Sequence, residues 1–246
     1  MIRSAPDGYT LLALGANQFW LAPYVQDDAP YDPVKDFAPV TLTATSPNML
    51  VVHSSVPATS VRELVALAKA KPGTLNGGIA NLAGSPTLAF HLFKAMTQTD
   101  IVGVPYKGTP QAMTAVLSGE VQILFPTVST GMPGVKTGKL RALAVTSDRP
   151  TALAPGLPTV SESGLPGYES STAFAVFAPA KTPGNIIATL NQAIVKYLQT
   201  PDVKEKMFAS GLEIVASSPQ QLATAMKQDM DRMHKVIQDA RARGEK

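Results

Sequence analysis

Short apolar runs alternate with longer amphipathic stretches along almost the whole chain. The run "YTLLALGA" (9–16) is entered through the turn residues "PDG" and predicts a strand. A polar-aromatic loop with Asn17, Trp20 and Tyr24 is expected to follow. Behind a proline-punctuated loop, two more strands are expected near 38–44 and 48–53. The pattern then changes period. "SVRELVALAKAKPG" predicts a helix with Ser60 as N-cap, Glu63 three residues on as in a capping box, and Pro72-Gly73 as its stop.

The alternation continues. "LNGGIA" predicts a strand running into a glycine-rich turn, and "SPTLAFHLFKAMTQ" a helix with Ser85 as cap and Pro86 at its first position. "DIVGVPY" predicts a strand, and "GTPQAMTAVLSG" a helix opened by Thr109-Pro110 and closed by Gly119. "EVQILFPT" and "LRALAVTS" predict strands on either side of a short helix or turn, "STGMPGVKTG". After a segment rich in proline and glycine (148–167) come a strand "STAFAVFAPA", a long helix "PGNIIATLNQAIVKYLQT", a short helix, the strand "LEIVAS" and a closing amphipathic helix. Helical connections between strands imply mostly parallel pairing, hence an α/β architecture.

Composition narrows the class. With 246 residues, 45% of them hydrophobic and 16% charged, the chain can bury one large core or two small ones. The net charge of +3 is spread out, and no basic stripe is interleaved with aromatics, which argues against nucleic acid as a partner. No apolar run reaches the ~18 residues of a membrane span. The absence of cysteine excludes disulfides, thiol nucleophiles and thiolate metal sites. The start, "MIRSAPDGYTLLALGAN", does not read as a signal peptide, because its apolar stretch is short and follows Pro6, Asp7 and Gly8.

The chemistry on offer is anion recognition. Helix starts recur after strand ends at Gly84-Ser85-Pro86 and Gly108-Thr109-Pro110. Unpaired N–H groups at a helix start accept an anion without a cationic side chain, and glycine lets a ligand approach the backbone. Ordinary capping is the more frequent explanation of any one such turn. Phosphate loops are excluded: "GGIANLAGSP" fits neither G-x-x-x-x-G-K-[ST] nor G-x-G-x-x-G. His53, His91 and His234 are scattered, so no metal and no cofactor are expected. Lys107 suits either a cleft or a solvated surface. Trp20, Tyr24, Phe125 and Phe174 read most simply as core, with Trp20 the foremost exception. The Met226, Met230 and Met233 stripe reads as core. No equipped catalytic centre is visible, so the chain does not read as an enzyme.

Six ordered blocks then carry a resemblance: "PDGYTLL", "YDPVKDFAPV", "VPYKG", "GKLRALAVTS", "LPTVSESGLPGYE" and "FAPAKTP". Together they are similar to the solute-binding proteins of tripartite tricarboxylate transporters, the Bordetella uptake family. The resemblance implies a periplasmic, two-lobed α/β fold of the periplasmic-binding-protein type (type II), each lobe a mostly parallel sheet flanked by helices, joined by two hinge strands. It implies residues 1–48 plus 175–246 as lobe one and 49–174 as lobe two. It also implies a small carboxylate ligand held between the lobes, membrane transporter subunits as partners, no membrane insertion and no catalytic residues. On the family pattern the ligand-holding loops carry Gly15, Ala16 and Asn17; Ala80, Asn81, Gly84, Ser85 and Thr87; Tyr106, Lys107, Gly108 and Thr109; Phe125 and Thr127; and Ala173 and Phe174.

Departures from that pattern shape further expectations. Family members carry a signal, a strand, a helix and a second strand before the "DGYTLL" block, so lobe one is expected to lack its first strand and helix. Thr87 stands where histidine is common, Pro126 where aspartate is common, and Ala173 where tryptophan is common. These changes suggest a roomier, more apolar pocket and a larger or aromatic monocarboxylate. The competing readings are a truncated, non-secreted remnant without ligand and, more distantly, an anion-binding transferase.

Overall fold

A computed structural model of the protein describes residues 1–25, 28–80 and 84–242, without the side chains of Val25 and 239–241. In chain order the elements are β1 (Leu12–Gly15), α1 (Ala16–Val25), β2 (Phe37–Pro47), β3 (Met49–His53), α2 (Val61–Ala70), β4 (Asn76–Ile79), α3 (Ser85–Thr97), β5 (Val102–Pro105) and α4 (Thr109–Ser118). They continue as β6 (Ile123–Leu124), α5 (Val128–Lys136), β7 (Leu140–Val145), β8 (Ser171–Pro179), α6 (Gly184–Leu198), α7 (Pro201–Ala209), β9 (Glu213–Ile214) and α8 (Pro219–Ala242). The chain divides into two compact units. Unit 1 takes Met1–Ser46 and Thr172–Lys235, and unit 2 takes Pro47–Ser171 and Val236–Lys246.

The α/β alternation is present, but the sheets are mixed, not mostly parallel. Unit 1 has the strand order β1-β8-β2-β9, and its β1–β8 and β2–β9 ladders are antiparallel. Unit 2 has the order β5-β4-β6-β3-β7, with β4 parallel to β5 and β6, and β3 antiparallel to β6 and β7. A helical crossover fixes direction only for the strands it joins in one sheet. β3 pairs with strands far along the chain, so connection length says nothing about its direction.

Local signals explain most elements. At α2 the capping box forms: the Glu63 N–H donates to Ser60 Oγ (3.2 Å), while the Glu63 carboxylate accepts from the Thr59 N–H and hydroxyl (2.7 and 2.8 Å). Gly119 closes α4 in the left-handed region with φ 82°, where glycine carries no Cβ penalty. Residues 16–25, expected as a loop, form helix α1. Ala16, Phe19, Trp20, Leu21 and Ala22 are all buried, as is the polar Asn17, so burial spreads around most of the helix and leaves no amphipathic period to betray it.

The core of unit 2 explains the glycines of "LNGGIA". A Cβ on Gly77 would meet the fully buried Phe90 ring, and one on Gly103 of the neighbouring strand would stand 3.3 Å from it. On Gly78 a Cβ would meet Leu124, Ala112 and Val121 at 3.0–3.5 Å. The bare strand is therefore a seat for the ring of α3 on one side and for the α4 packing layer on the other. Close approach of a ligand is not what these two positions serve.

Candidate functional site

β4, β5 and β6 run parallel, and each leads into a helix, α3, α4 and α5 respectively. The three helix starts therefore lie at one end of the unit 2 sheet, beyond the carboxyl ends of its strands. Their N-caps are Gly84, Gly108 and Thr127, and none makes a side-chain capping hydrogen bond. Ser85, expected as the cap of α3, is instead the first helical residue, because Gly84 takes the extended cap conformation (φ −74°, ψ 138°). The first-turn N–H groups of these helices have no side-chain cap acceptor, in contrast to α2, although the Thr127 carbonyl accepts from the Thr130 N–H (3.0 Å). The macrodipoles place partial positive charge at the same sheet end.

The residues of the expected loops take distinct roles. The Thr87 hydroxyl, buried at 1% exposure, accepts from the Ala80 N–H (3.2 Å) and so fixes the end of β4 against α3. Asn81 lies outside the described residues. Ser85 is buried, and Thr109 is half-buried at the first position of α4. The Thr127 hydroxyl sits 3.2 Å from that of Ser129 and 2.9 Å from that of Thr130, a cluster of three hydroxyls on the first turn of α5. Lys107 is exposed. Phe125 is buried against Phe90 and Phe93 and belongs to the core.

Tyr106 turns its hydroxyl to Glu120, donating at 2.8 Å. Burial first, and then the Glu120 carboxylate, push its phenol up to about 12 from the ordinary 10.0. A raised phenol favours the neutral form in the folded state. The stability it contributes is present below pH ~10 and lost as the pH rises towards 12. Ultraviolet titration should therefore show one fewer late-forming tyrosinate in Tyr106→Phe and an earlier one in Glu120→Gln, while Tyr24 and Tyr31, also raised by burial, stay late in both. An unchanged set of late steps in Tyr106→Phe would refute the assignment.

In unit 1 the structure brings Gly15, Ala16, Asn17, Ala173 and Phe174 together. Gly15 pairs with Phe174 across the β1–β8 ladder, and the Ala173 N–H donates to Asn17 Oδ1 (2.6 Å). Asn17 Nδ2 donates to Asp229 (3.0 Å), so both ends of this carboxamide serve the framework. Trp20, singled out as an exception to core, is 2% exposed and donates its indole N–H to Asp229 at 2.7 Å.

One residue escapes the sequence reading. Asn48, between β2 and β3, is fully buried and bridges to Thr127, the cap of α5. Its Nδ2 donates to Ser85 Oγ at 2.5 Å, while its Oδ1 has no hydrogen-bond partner among the described residues. An asparagine after a proline in a strand-rich stretch carries no signal of this in the sequence. Among the described residues no group of three or more metal-ligating side chains occurs, and no helix is long and apolar enough to cross a membrane. A hollow of about 520 Å³ elsewhere on unit 2, beside Met132, Arg141 and Leu157, shares no lining residue with these loops.

The model of the tripartite tricarboxylate transporter family receptor matches residues 1–241. The chain is 33% identical to Protein BugT of Bordetella pertussis over 244 residues, covering 98% of this chain and 74% of that one. It is also 33% identical over 244 residues to a UPF0065 protein from the tcbD-tcbE intergenic region of Pseudomonas sp. strain P51, covering 98% of this chain and 72% of that one. Among solved structures it is similar to Rpa4515 of R. palustris with adipate, with 32% identity, TM-score 0.79, and 97% and 80% of the two chains covered. MatC of Rhodopseudomonas palustris with bound malate gives 27% identity, TM-score 0.78, and 96% and 81% coverage. The chain belongs to the tripartite tricarboxylate transporter receptor family, whose members are solute-binding receptors and not enzymes.

Proposed function

We propose that the protein is an extracytoplasmic receptor that captures a small carboxylate and delivers it to the membrane subunits of a tripartite tricarboxylate-type transporter. The observation that carries this reading is the set of three helix starts, α3, α4 and α5, opening without side-chain caps at one end of the unit 2 sheet. Backbone N–H groups of these starts and the hydroxyls of Ser85, Thr109, Thr127, Ser129 and Thr130 supply neutral donors. Such an array holds a carboxylate without reacting with it. The adipate and malate held by two structural relatives support the same ligand class. A periplasmic location and a transporter partner follow from the family reading.

Isothermal titration of the whole chain tests it, with malate, succinate, adipate, citrate and benzoate as probes. Micromolar or tighter binding of at least one, with the acid recovered unchanged, is the expected result. The departures at Thr87, Pro126 and Ala173 favour the larger or aromatic acid over succinate. Tight succinate or citrate binding without benzoate binding would reject that preference. Failure to bind any carboxylate would reject the receptor reading.

A further inference from the structure

Asn48 occupies a costly position. Its backbone is locked on both sides: its N–H donates to the Thr146 hydroxyl (3.0 Å), and its carbonyl accepts from the Thr146 N–H (2.9 Å). The Thr146 hydroxyl in turn donates to the Ser170 carbonyl, which closes a fully buried polar knot. The side chain reaches out of that knot to Ser85, the first residue of α3. Its carboxamide is held by the nitrogen end alone, which also stands 3.5 Å from the Ser170 carbonyl, and among the described residues the oxygen meets no donor at 0% exposure. A buried acceptor with no partner costs about 1–3 kcal/mol. A side chain chosen only to fill space there would avoid that cost, so the carboxamide is kept for what its N–H does.

What it does is set the direction of the Ser85 hydroxyl. A serine oxygen carries one proton and two lone pairs. With Asn48 Nδ2 donating into a lone pair, the Ser85 proton is left to donate elsewhere. Ser85 Oγ makes no other hydrogen bond to a described residue. The backbone around it supplies the positive end of α3, whose cap Gly84 offers no side-chain acceptor.

We infer that Asn48 is a positioning residue for carboxylate recognition: its amide N–H turns Ser85 Oγ–H into a fixed donor to the ligand carboxylate at the start of α3. This rests on the receptor reading and adds to it a residue that touches no ligand. The oxygen end of Asn48 makes the polarity one-way. A carboxylate in its place would accept the Ser85 proton and reverse the hydroxyl, besides bringing a like charge to the ligand.

That reversal is the test. Carboxylate affinity is measured calorimetrically on the full chain from pH 5 to 8, with malate and adipate as probes. Wild type, Asn48→Asp, Asn48→Ala, Ser85→Ala and the double Asn48→Ala/Ser85→Ala variant are compared, with thermal melts to verify folding. Asn48→Asp is expected to lose at least about tenfold at pH 8 and to regain most of it towards pH 5. The buried introduced carboxyl has a raised pKa, and once protonated it donates to Ser85 as the amide does. Asn48→Ala should lose severalfold, and the double variant should lose no more than Ser85→Ala alone, because Asn48 acts only through that hydroxyl. Should Asn48→Asp fail to fold, the alanine cycle decides. An Asn48→Asp affinity within twofold of wild type at pH 8, a loss that does not depend on pH, or additive losses in the double variant would overturn the inference. A wild type that binds no carboxylate fails the receptor reading and takes this inference with it. A wild type that binds, with an indifferent Asn48, fails this inference alone.

Discussion

Gly77→Ala should lower the melting temperature by roughly 5–10 °C, although it adds a single methyl to a strand. The new Cβ would overlap the Phe90 ring, with Cδ2 of that ring at 2.9 Å and Cζ at 3.0 Å. Real Cβ atoms do not approach so closely, so the ring or the strand has to move. The ring is fully buried, and its neighbours Phe125 and His91 crowd it with centroid separations of 6.4 and 5.5 Å. A Cβ on Gly103 of β5 would likewise stand only 3.3 Å from it. Overpacking of this kind costs about 1–3 kcal/mol or more. Removing a glycine from the unfolded chain returns at most ~1 kcal/mol, so strain wins. Phe90→Leu should relieve much of the loss in the Gly77→Ala background while costing stability alone, and a double-mutant cycle measures that coupling. A Gly77→Ala melt within about 1 °C of wild type, or additive effects in the cycle, would show that the ring does not need the bare backbone.

The same pair shows where the sequence is legible and where it is not. The box at Ser60 and Glu63 is written in a spacing of three residues, so the amino-acid order alone suffices to place it. Of the glycines of "LNGGIA", Gly77 answers to Phe90, thirteen residues on, and Gly78 to Leu124, Ala112 and Val121, and no local rule connects them. By local rules they resemble a bare approach for an anion. The uncapped helix start lies further on, where Gly84 displaces Ser85 from the cap by one position. Strand order is hidden for a related reason: β3 finds β6 and β7 across long separations, and alternation of apolar runs does not encode partners. Helix α1 is hidden because burial around most of it erases its period. Asn48 is hidden because its burial and its contact with Ser85 exist only once β3 lies beside β6.

Asp229→Ala is the second large effect, and it should cost about 3–5 kcal/mol. The carboxylate is 8% exposed and accepts from three donors of unit 1: Trp20 Nε1 at 2.7 Å, Asn17 Nδ2 at 3.0 Å and Arg232 at 2.8 Å. Arg232 keeps a partly exposed side chain, 30%, and water replaces its lost partner cheaply. Trp20 and Asn17 are buried, so their N–H groups would be stranded, and each stranded donor costs about 1–3 kcal/mol. The damage also spreads along the chain, because Asn17 Oδ1 holds the Ala173 N–H beside the β1–β8 ladder. Asp229→Asn should cost less, about 1–2 kcal/mol, since its carbonyl still accepts from the indole while its amide meets donors. Trp20 is the single tryptophan of the chain, so its fluorescence reports on this site alone. Emission should shift in Asp229→Ala before global unfolding begins. Trp20→Phe removes the indole donor, so the cost of Asp229→Ala should shrink in that background. An unshifted spectrum together with a wild-type melt in Asp229→Ala would mean that this carboxylate does not hold α1 to α8.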